Sequence, residues 1–452
     1  MNSKPKQTKQ QNPTATSLAT ARTAPLAQAG GGQEAAESLA SGAPPSNTAP
    51  DNCNTPYFQA LRWGVDSLYL SYPGELSRER DDEFKALKQL AQSNEAGEQA
   101  KAQFCLGKHI FEVKDRGAPL FPYILEDGAF RIQLSRPGHK APMAYVKVSA
   151  KYLAHVGPAG AEKHLYDLLA QLGEIQGAAN VSRIDLYADF VSSVDMESWD
   201  RHAWVTRASE INTYAVSGHF SGWTIGQGGI MSARLYNKSL EIVSSGKEWI
   251  IPLWQKAGWD GKRQVWRLEF QIKREVLTQK NISKLYEVLN HLNGLWSYAT
   301  TEWLRLTIPS AEDKTRSRWP VHPLWQMLSS IDWETRGGDF LKRFHPNRSP
   351  KDDKLFQAAY SAFLSYMAKH GVAFSDSYEF FKGIERFLEG AFNYHEQHAH
   401  YQGIRFEELM AEKLAIKQRI YGSRMNDPDL EAKRKAREVK EDAKAYRKAS
   451  GG

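Results

Sequence analysis

Three segments in the middle of the chain set ionisable side chains at every second position. They are Val-Ser-Arg183-Ile-Asp185-Leu-Tyr187-Ala-Asp189-Phe190, Ala-Arg234-Leu-Tyr236-Asn-Lys238-Ser-Leu-Glu241 and Val-Trp266-Arg267-Leu-Glu269-Phe-Gln271-Ile-Lys273. Side chains alternate across a strand with period two. In the first segment Ile184, Leu186, Ala188 and Phe190 therefore oppose Arg183, Asp185, Tyr187 and Asp189. In the third, Trp266, Leu268, Phe270 and Ile272 oppose Arg267, Glu269, Gln271 and Lys273, and in the second Arg234, Tyr236 and Lys238 share a face. On one sheet these strands would gather carboxylates, Arg, Lys and one central tyrosine. That is the inventory for metal-assisted phosphoryl transfer to a tyrosine. The competing explanation is a solvated sheet face with opposite charges paired across strands. Against it stand the threefold repeat of the pattern and a tyrosine set between Arg234 and Lys238.

The chemistry is coherent. A tyrosine, with an ordinary pKa of about 10, is a weak nucleophile at neutral pH, and Arg234 and Lys238 are expected to favour its phenolate. A hard divalent ion prefers oxygen ligands; it can polarise a scissile phosphate and stabilise a leaving 3′ oxygen. A phosphotyrosine bond conserves the energy of the phosphodiester, so the break can be rejoined without ATP. A hydrolytic nuclease needs the carboxylates but not the tyrosine.

Several elements must position these groups. Residues 1–54 are Ala, Gly, Gln, Ser, Thr and Pro with few large apolar groups; they read as a disordered arm. Residues 61–70 read as a strand, 78–101 as an exposed helix, and 104–113, 121–126, 129–135 and 143–149 as strands, with a hairpin turn at Asp127-Gly128. A helix is expected over 160–173, strand 181–191 next, then a helix across 196–207. A meander at 212–217, 220–226 and 230–238, strand 264–273 and a helix near 282–292 complete the region. The expected class is α+β: an antiparallel sheet-rich catalytic domain over 55–310 with flanking helices, then a helical C-terminal domain over 311–422 and a charged tail over 423–452. Asp66 on the opening strand loosely mirrors Asp185, which suggests a duplicated half, although no sequence period accompanies it.

Composition sets the bounds. The 452 residues are 41% hydrophobic and 11% aromatic, enough for two or three packed domains. Net charge is +7 with a pI near 9.0, which permits an anionic partner without requiring one. The two cysteines, Cys53 and Cys105, suggest no structural disulfide and fit a reducing cytoplasm. No run approaches the length of a membrane span, and no apolar segment follows the N-terminal lysines as in a secretory signal. Gly226-Gln-Gly228-Gly229 lacks the Lys-Ser/Thr and the helix of a phosphate loop and reads as a hairpin turn. His395, His398 and His400 have ligand chemistry, but their surroundings read as a partly exposed helix.

The order Arg183-Ile-Asp185-Leu-Tyr-Ala-Asp189, then Gly226 and Ser232, then Arg234-Leu-Tyr236-Asn-Lys238-Ser-Leu-Glu241, then Trp266-Arg267-Leu-Glu269, resembles the replication initiation factor family. These are rolling-circle initiators of small plasmids, with relatives in phages and integrative elements. The resemblance covers roughly residues 61–275, and the Arg-x-Tyr-x-Lys-x-x-Glu element is its most specific part. It implies nicking and joining of one DNA strand at a plasmid or phage origin, with Tyr236 as nucleophile beside Arg234 and Lys238. It also implies Mg²⁺ or Mn²⁺ held by Asp185, Asp189 and Glu269. Expected partners are double- and single-stranded origin DNA, with a host helicase and a second copy of the chain as further candidates. Contacts to nucleic acid are expected from Arg183, Arg267, Lys273 and a basic connector, Lys314, Arg316, Arg318 and Trp319. The long arm and the helical extension depart from compact plasmid initiators. Relaxases of mobilisable elements, or a catalytically silent DNA-binding regulator on the same fold, are the alternatives.

Overall fold

The computed structural model describes residues 58–334, 349–350, 352–371 and 377–423. The expected arm, Cys53, and the tail from residue 424 lie outside the described residues. Fifteen strands occur among those described: β1 (Phe58–Tyr72), β2 (Gly74–Leu76), β3 (Gln103–Leu106), β4 (His109–Val113), β5 (Tyr123–Glu126), β6 (Phe130–Leu134), β7 (Ala144–Val148), β8 (Gly173–Ile175), β9 (Asn180–Ser192), β10 (Trp204–Thr206), β11 (Ile211–Val216), β12 (His219–Ile225), β13 (Met231–Asn237), β14 (Val265–Lys273) and β15 (Leu304–Leu306). Eleven of them form one sheet in the order β11-β12-β13-β14-β9-β1-β7-β6-β5-β4-β3, with every neighbouring pair antiparallel. The fold is α+β, as the strand and helix patterns imply.

The strand plan contains the duplication for which the sequence shows no period. β1 opens one half, and the meander β3–β7 brings β7 back beside it; β9 opens the other, and β11–β14 brings β14 back beside it. The two opening strands pair with each other at the centre. Each half then runs into helices that cover its opening strand: Ala150–Leu169 lies on β1, and Arg274–Gln279 and Leu285–Asn290 lie on β9. Ser149 caps the first of these, its Oγ accepting from the Tyr152 N–H at 3.3 Å. That helix starts ten residues earlier than its leucine stripe predicts. It kinks where Gly157 adopts φ 73° ahead of Pro158, a backbone state that suits glycine.

The apolar face of the sheet is the main core. Ile184, Leu186, Ala188 and Phe190 on β9 and Leu268, Phe270 and Ile272 on β14 are all fully buried. Burial of each large side chain contributes about 1.5–3 kcal/mol. Tryptophans build the layer above them: the Trp204 and Trp325 rings meet edge to face at 5.5 Å, and Trp296 meets Phe270 at 5.4 Å. This layer displaces two sequence expectations. The helix expected over 196–207 is a short 3₁₀ turn followed by β10, because Trp204 is drawn into the core and its strand pairs with β15. The stretch 323–333, expected in a separate C-terminal domain, belongs to the sheet core instead: Leu324, Trp325, Leu328 and Trp333 are buried in it. Trp296 Nε1 donates to the Leu328 carbonyl at 2.8 Å, and Trp63 Nε1 to the Asp332 carbonyl at 3.1 Å. Helices Asp352–Lys369, Ser377–Gln402 and Phe406–Ile420 follow. The last packs on Ala96–Ala100, and Gln103 Nε2 donates to the Ser423 carbonyl at 3.1 Å. No described helix is long and apolar enough to cross a membrane.

Candidate active site

The three ionic segments do share one sheet. β9, β14 and β13 are consecutive neighbours, with Asp189 opposite Arg267, Arg267 opposite Tyr236, and Glu269 opposite Arg234. The Arg-x-Tyr-x-Lys-x-x-Glu element straddles the junction between β13 and the helix Lys238–Ser245. Asn237 makes that junction: its Oδ1 caps the helix by accepting from the Leu240 N–H at 3.1 Å. Arg234 and Tyr236 therefore alternate onto the ionic face from a strand, while Lys238 and Glu241 meet at helical i,i+3 spacing. On the next strand Gly222 faces Tyr236 with φ 154°. A Cβ there would lie 2.8 Å from Tyr236 Cα, so only glycine lets β12 approach the tyrosine this closely.

The ionic face divides into a roofed part and an open part. The helices after β13 lay a small second core over one end, made of Leu61, Val191, Ile242, Ile250, Leu253, Trp254 and Val265. Beneath that roof Arg267 is 1% exposed. Its Nε and Nη2 donate to the two oxygens of Asp189 at 2.5 and 2.8 Å, and its Nη1 pairs with Asp66. Trp254 Nε1 gives Asp189 a third hydrogen bond at 2.8 Å. The Tyr187 ring lies 3.9 Å under the Arg267 guanidinium, and its hydroxyl accepts from Arg62 Nε at 2.9 Å. This is a closed, satisfied network. Burial alone would raise the Asp66 carboxyl; Arg267, Lys238 and Lys247 together hold it below its ordinary value. Arg267, expected at the DNA surface, is thus an internal clamp, and Tyr187 is a buried packing tyrosine.

Beside the roof lies the candidate site, where Tyr236 is half-buried and only Arg234 is exposed. Tyr236 donates from Oη to Glu269 Oε2 at 3.0 Å, and Lys238 Nζ lies 3.5 Å from the same phenol oxygen. Lys238 is 1% exposed and reaches Glu241 at 2.6 Å, which Lys247 also contacts at 3.2 Å. Glu269 pairs with Arg234, whose side chain is 48% exposed at the rim. Asp185 is held by Arg183, Nε to Oδ1 at 2.8 Å and Nη2 to Oδ2 at 2.5 Å.

The electrostatics differ from the sequence expectation at the tyrosine. Arg234 and Lys238 were expected to favour the phenolate. Burial, reinforced by the Glu269 charge, instead pushes Tyr236 well above its ordinary value and outweighs Arg267 and Arg234. Burial, with Arg267 close by, lowers Lys238. Asp185 is pushed up to about 6 by burial, with Glu269 and Asp66 adding to it, despite its pair with Arg183. The folded state therefore holds a proton on Asp185 that the unfolded chain releases near pH 4. Its contribution to stability is present at low pH and is lost as pH rises from about 4 to 6. Asp185→Asn is expected to remove this downward slope; thermal melts of both proteins across pH 4–7 measure it.

The carboxylates do not form a metal centre as they stand. Among the described residues no three His, Cys, Asp or Glu side chains gather into a metal-holding group. Asp185, Asp189 and Glu269 each face a guanidinium, from Arg183, Arg267 and Arg234, and Asp189 already accepts three hydrogen bonds. This donor set does not fit the expected Mg²⁺ or Mn²⁺. Adding millimolar Mg²⁺ or Mn²⁺ to the DNA-free protein is accordingly expected to leave its melting temperature unchanged; a rise of several degrees would reveal a preformed cation site.

The remaining expected contacts are dispersed. Lys273 Nζ donates to the Gly228 carbonyl at 3.3 Å on the ionic face. In the basic connector, Lys314 is exposed, Arg318 forks onto Asp313 at 2.9 Å, Trp319 Nε1 donates to the Asp313 carbonyl at 2.6 Å, and Arg316 is tied to the His202 and Trp204 carbonyls. Those residues lie along the β10–β15 edge, apart from Tyr236. His395, His398 and His400 lie on the helix Ser377–Gln402, the last two exposed, as the sequence pattern implies. Sequence reasoning missed Asp66 and Trp254 as partners of the site. Asp66 had a signal, its place on the opening strand mirroring that of Asp185 on β9; Trp254 had none.

No family model matches the chain, and no curated protein matches it. A solved structure, the rolling circle replication initiator protein from Geobacillus stearothermophilus, is similar to it with a TM-score of 0.34 and 13% identity, covering 61% of this chain and 99% of that one. This is a distant structural relationship, and the functional reading below rests on the residues and their geometry.

Proposed function

We propose that this chain is a DNA strand-nicking and joining enzyme that initiates rolling-circle replication through Tyr236. The observation that carries the reading is the Tyr236 hydroxyl set between Glu269 at 3.0 Å and Lys238 at 3.5 Å. Its phenol is protonated at neutral pH, so attack requires a base in contact, and Glu269 is that base. Tyr236 Oη bonds to the phosphorus as its proton passes to Glu269 Oε2. The bond from phosphorus to the 3′ oxygen breaks, and Lys238, an ammonium whose pKa burial has lowered, protonates the departing oxygen. Arg234 supplies positive charge at the rim for the phosphate oxygens. Joining is the reverse, with a 3′ hydroxyl attacking the phosphotyrosine and Tyr236 reclaiming its proton.

The test is conversion of supercoiled DNA carrying the gene's own flanking region to open circles, run with and without Mn²⁺. A catalytically silent DNA-binding protein is the second reading, favoured by the high phenol pKa and by the Arg234–Glu269 pair that closes the site. Such a protein would retard the DNA in a gel and open no circles. A relaxase of a mobilisable element would share the chemistry, and the genes beside this one would distinguish it.

A further inference from the structure

Strand register lines up one row of side chains across five strands on the face that carries Tyr236. Lys273 on β14 stands opposite Arg183 on β9, Arg183 opposite Tyr69 on β1, Tyr69 opposite Lys147 on β7, and Lys147 opposite Arg131 on β6. Two of these directly opposed pairs, Lys273/Arg183 and Lys147/Arg131, are like-charged, an arrangement that destabilises a sheet. Nearer Tyr236 the same face sets Arg234 opposite Glu269 and Arg267 opposite Asp189, while at the far end Glu112 opposite Glu126 is a like-charged acidic pair. The row is not empty of acids. Asp185 pairs with Arg183, Glu126 pairs with Arg131 at 2.7 Å, and Glu126 and Glu112 end the row on β5 and β4. The Tyr69 ring is partly exposed at its centre, with the Arg183 guanidinium 5.1 Å and the Lys147 ammonium 5.7 Å from its centroid. Tyr145, also partly exposed, lies 6.2 Å from Tyr69, and Arg274 reaches Ser71 beside them at 2.7 Å.

Four strand spacings make the row about 19 Å long, and six residues along β14 separate it from the position opposite Tyr236 by about 20 Å. It is therefore outside the reacting centre and a few nucleotides from it. A flat sheet face offers no helix to a duplex groove, whereas a partly exposed ring flanked by cations matches an unpaired base and its phosphates. We propose that the row Lys273–Arg183–Tyr69–Lys147–Arg131 binds the single-stranded DNA that flanks the nick, with a base stacked on Tyr69 and the phosphates on the lysines and arginines. The proposal rests on the nicking reading for its substrate. It also gives the half of the duplication that lacks the nucleophile a task, since Tyr69, Lys147 and Arg131 all belong to that half.

The experiment measures binding of a fluorescent single-stranded oligonucleotide by anisotropy across a salt series, in a Tyr236→Phe background so that no strand is cut. Tyr69→Leu is expected to weaken binding roughly ten-fold or more and Tyr69→Phe to retain it, because stacking needs the ring. Lys147→Gln is expected to weaken binding and to lower the salt slope by about 0.7. Duplex affinity should change little in all three. Lys147 is exposed, so its variant reports even if Tyr69→Leu misfolds. Parental single-strand affinity in both Lys147→Gln and Tyr69→Leu overturns the proposal. Equal loss of duplex affinity in Lys147→Gln also overturns it, because the row would then be a duplex phosphate contact. Row-dependent binding in a protein that never nicks would instead refute the nicking reading and leave this one standing.

Discussion

Tyr236→Phe is expected to abolish strand nicking while the protein still binds DNA. The substitution keeps the ring and its packing against β12 and removes only the oxygen that attacks phosphorus. Loss of a covalent nucleophile reduces a rate by something on the order of 10⁶-fold in a well-studied protease, and an effect of that size takes nicking below detection. The structural penalty is small by comparison. Glu269, 2% exposed, loses one donor but keeps Arg234, so the cost is that of one weakened buried acceptor, about 1–3 kcal/mol at most. Tyr187→Phe is the control. Its hydroxyl accepts a hydrogen bond from Arg62 beneath the roof, and the variant is expected to nick normally. Conversion of supercoiled to open-circular DNA by the two variants, beside a gel shift for binding, measures the contrast.

Arg267→Met is expected to lower stability more than any other single change on this face. Among the described residues Arg267 pairs with both Asp66 and Asp189, and its removal strands two carboxylates under the Trp254 roof. Breaking a buried pair by deleting one partner costs about 3–5 kcal/mol, mostly from the charge left behind. Replacing Asp189 at the same time relieves much of that, so Arg267→Met/Asp189→Leu is expected to be less destabilised than the sum of the two single variants. Urea titrations of the three proteins give the comparison. A near-additive result would mean that Arg267 and Asp189 do not act as one unit.

These two residues also show how far the sequence could be read. The period-two alternation placed Arg267, Glu269, Asp185 and Asp189 on one face correctly, because alternation is a property of the strand itself. Their depth was not legible, because it depends on what packs above. Arg183 and Arg267 occupy equivalent places in their segments, yet one is partly exposed beside Tyr69 and the other is sealed. The difference is the helix carrying Trp254, which follows β13 and folds back over only one end of the sheet. The same ignorance of depth explains the tyrosine. Charge counting around Tyr236 favoured the phenolate, while burial and Glu269, thirty-three residues away, reverse the balance. The C-terminal boundary was misplaced for a related reason. The basic connector looks like a linker, but Trp325 and Trp333 beyond it return to the sheet core.

The central claim is that Tyr236 attacks DNA. Its most direct measurement is mass spectrometry of the peptide left covalently attached to DNA after the protein is trapped in mid-reaction with its origin DNA. The account predicts a single adduct, a nucleotide linked through phosphate to Tyr236, that is missing in Tyr236→Phe. An adduct on Tyr187 or any other tyrosine, or open circles formed with no adduct at all, would contradict it.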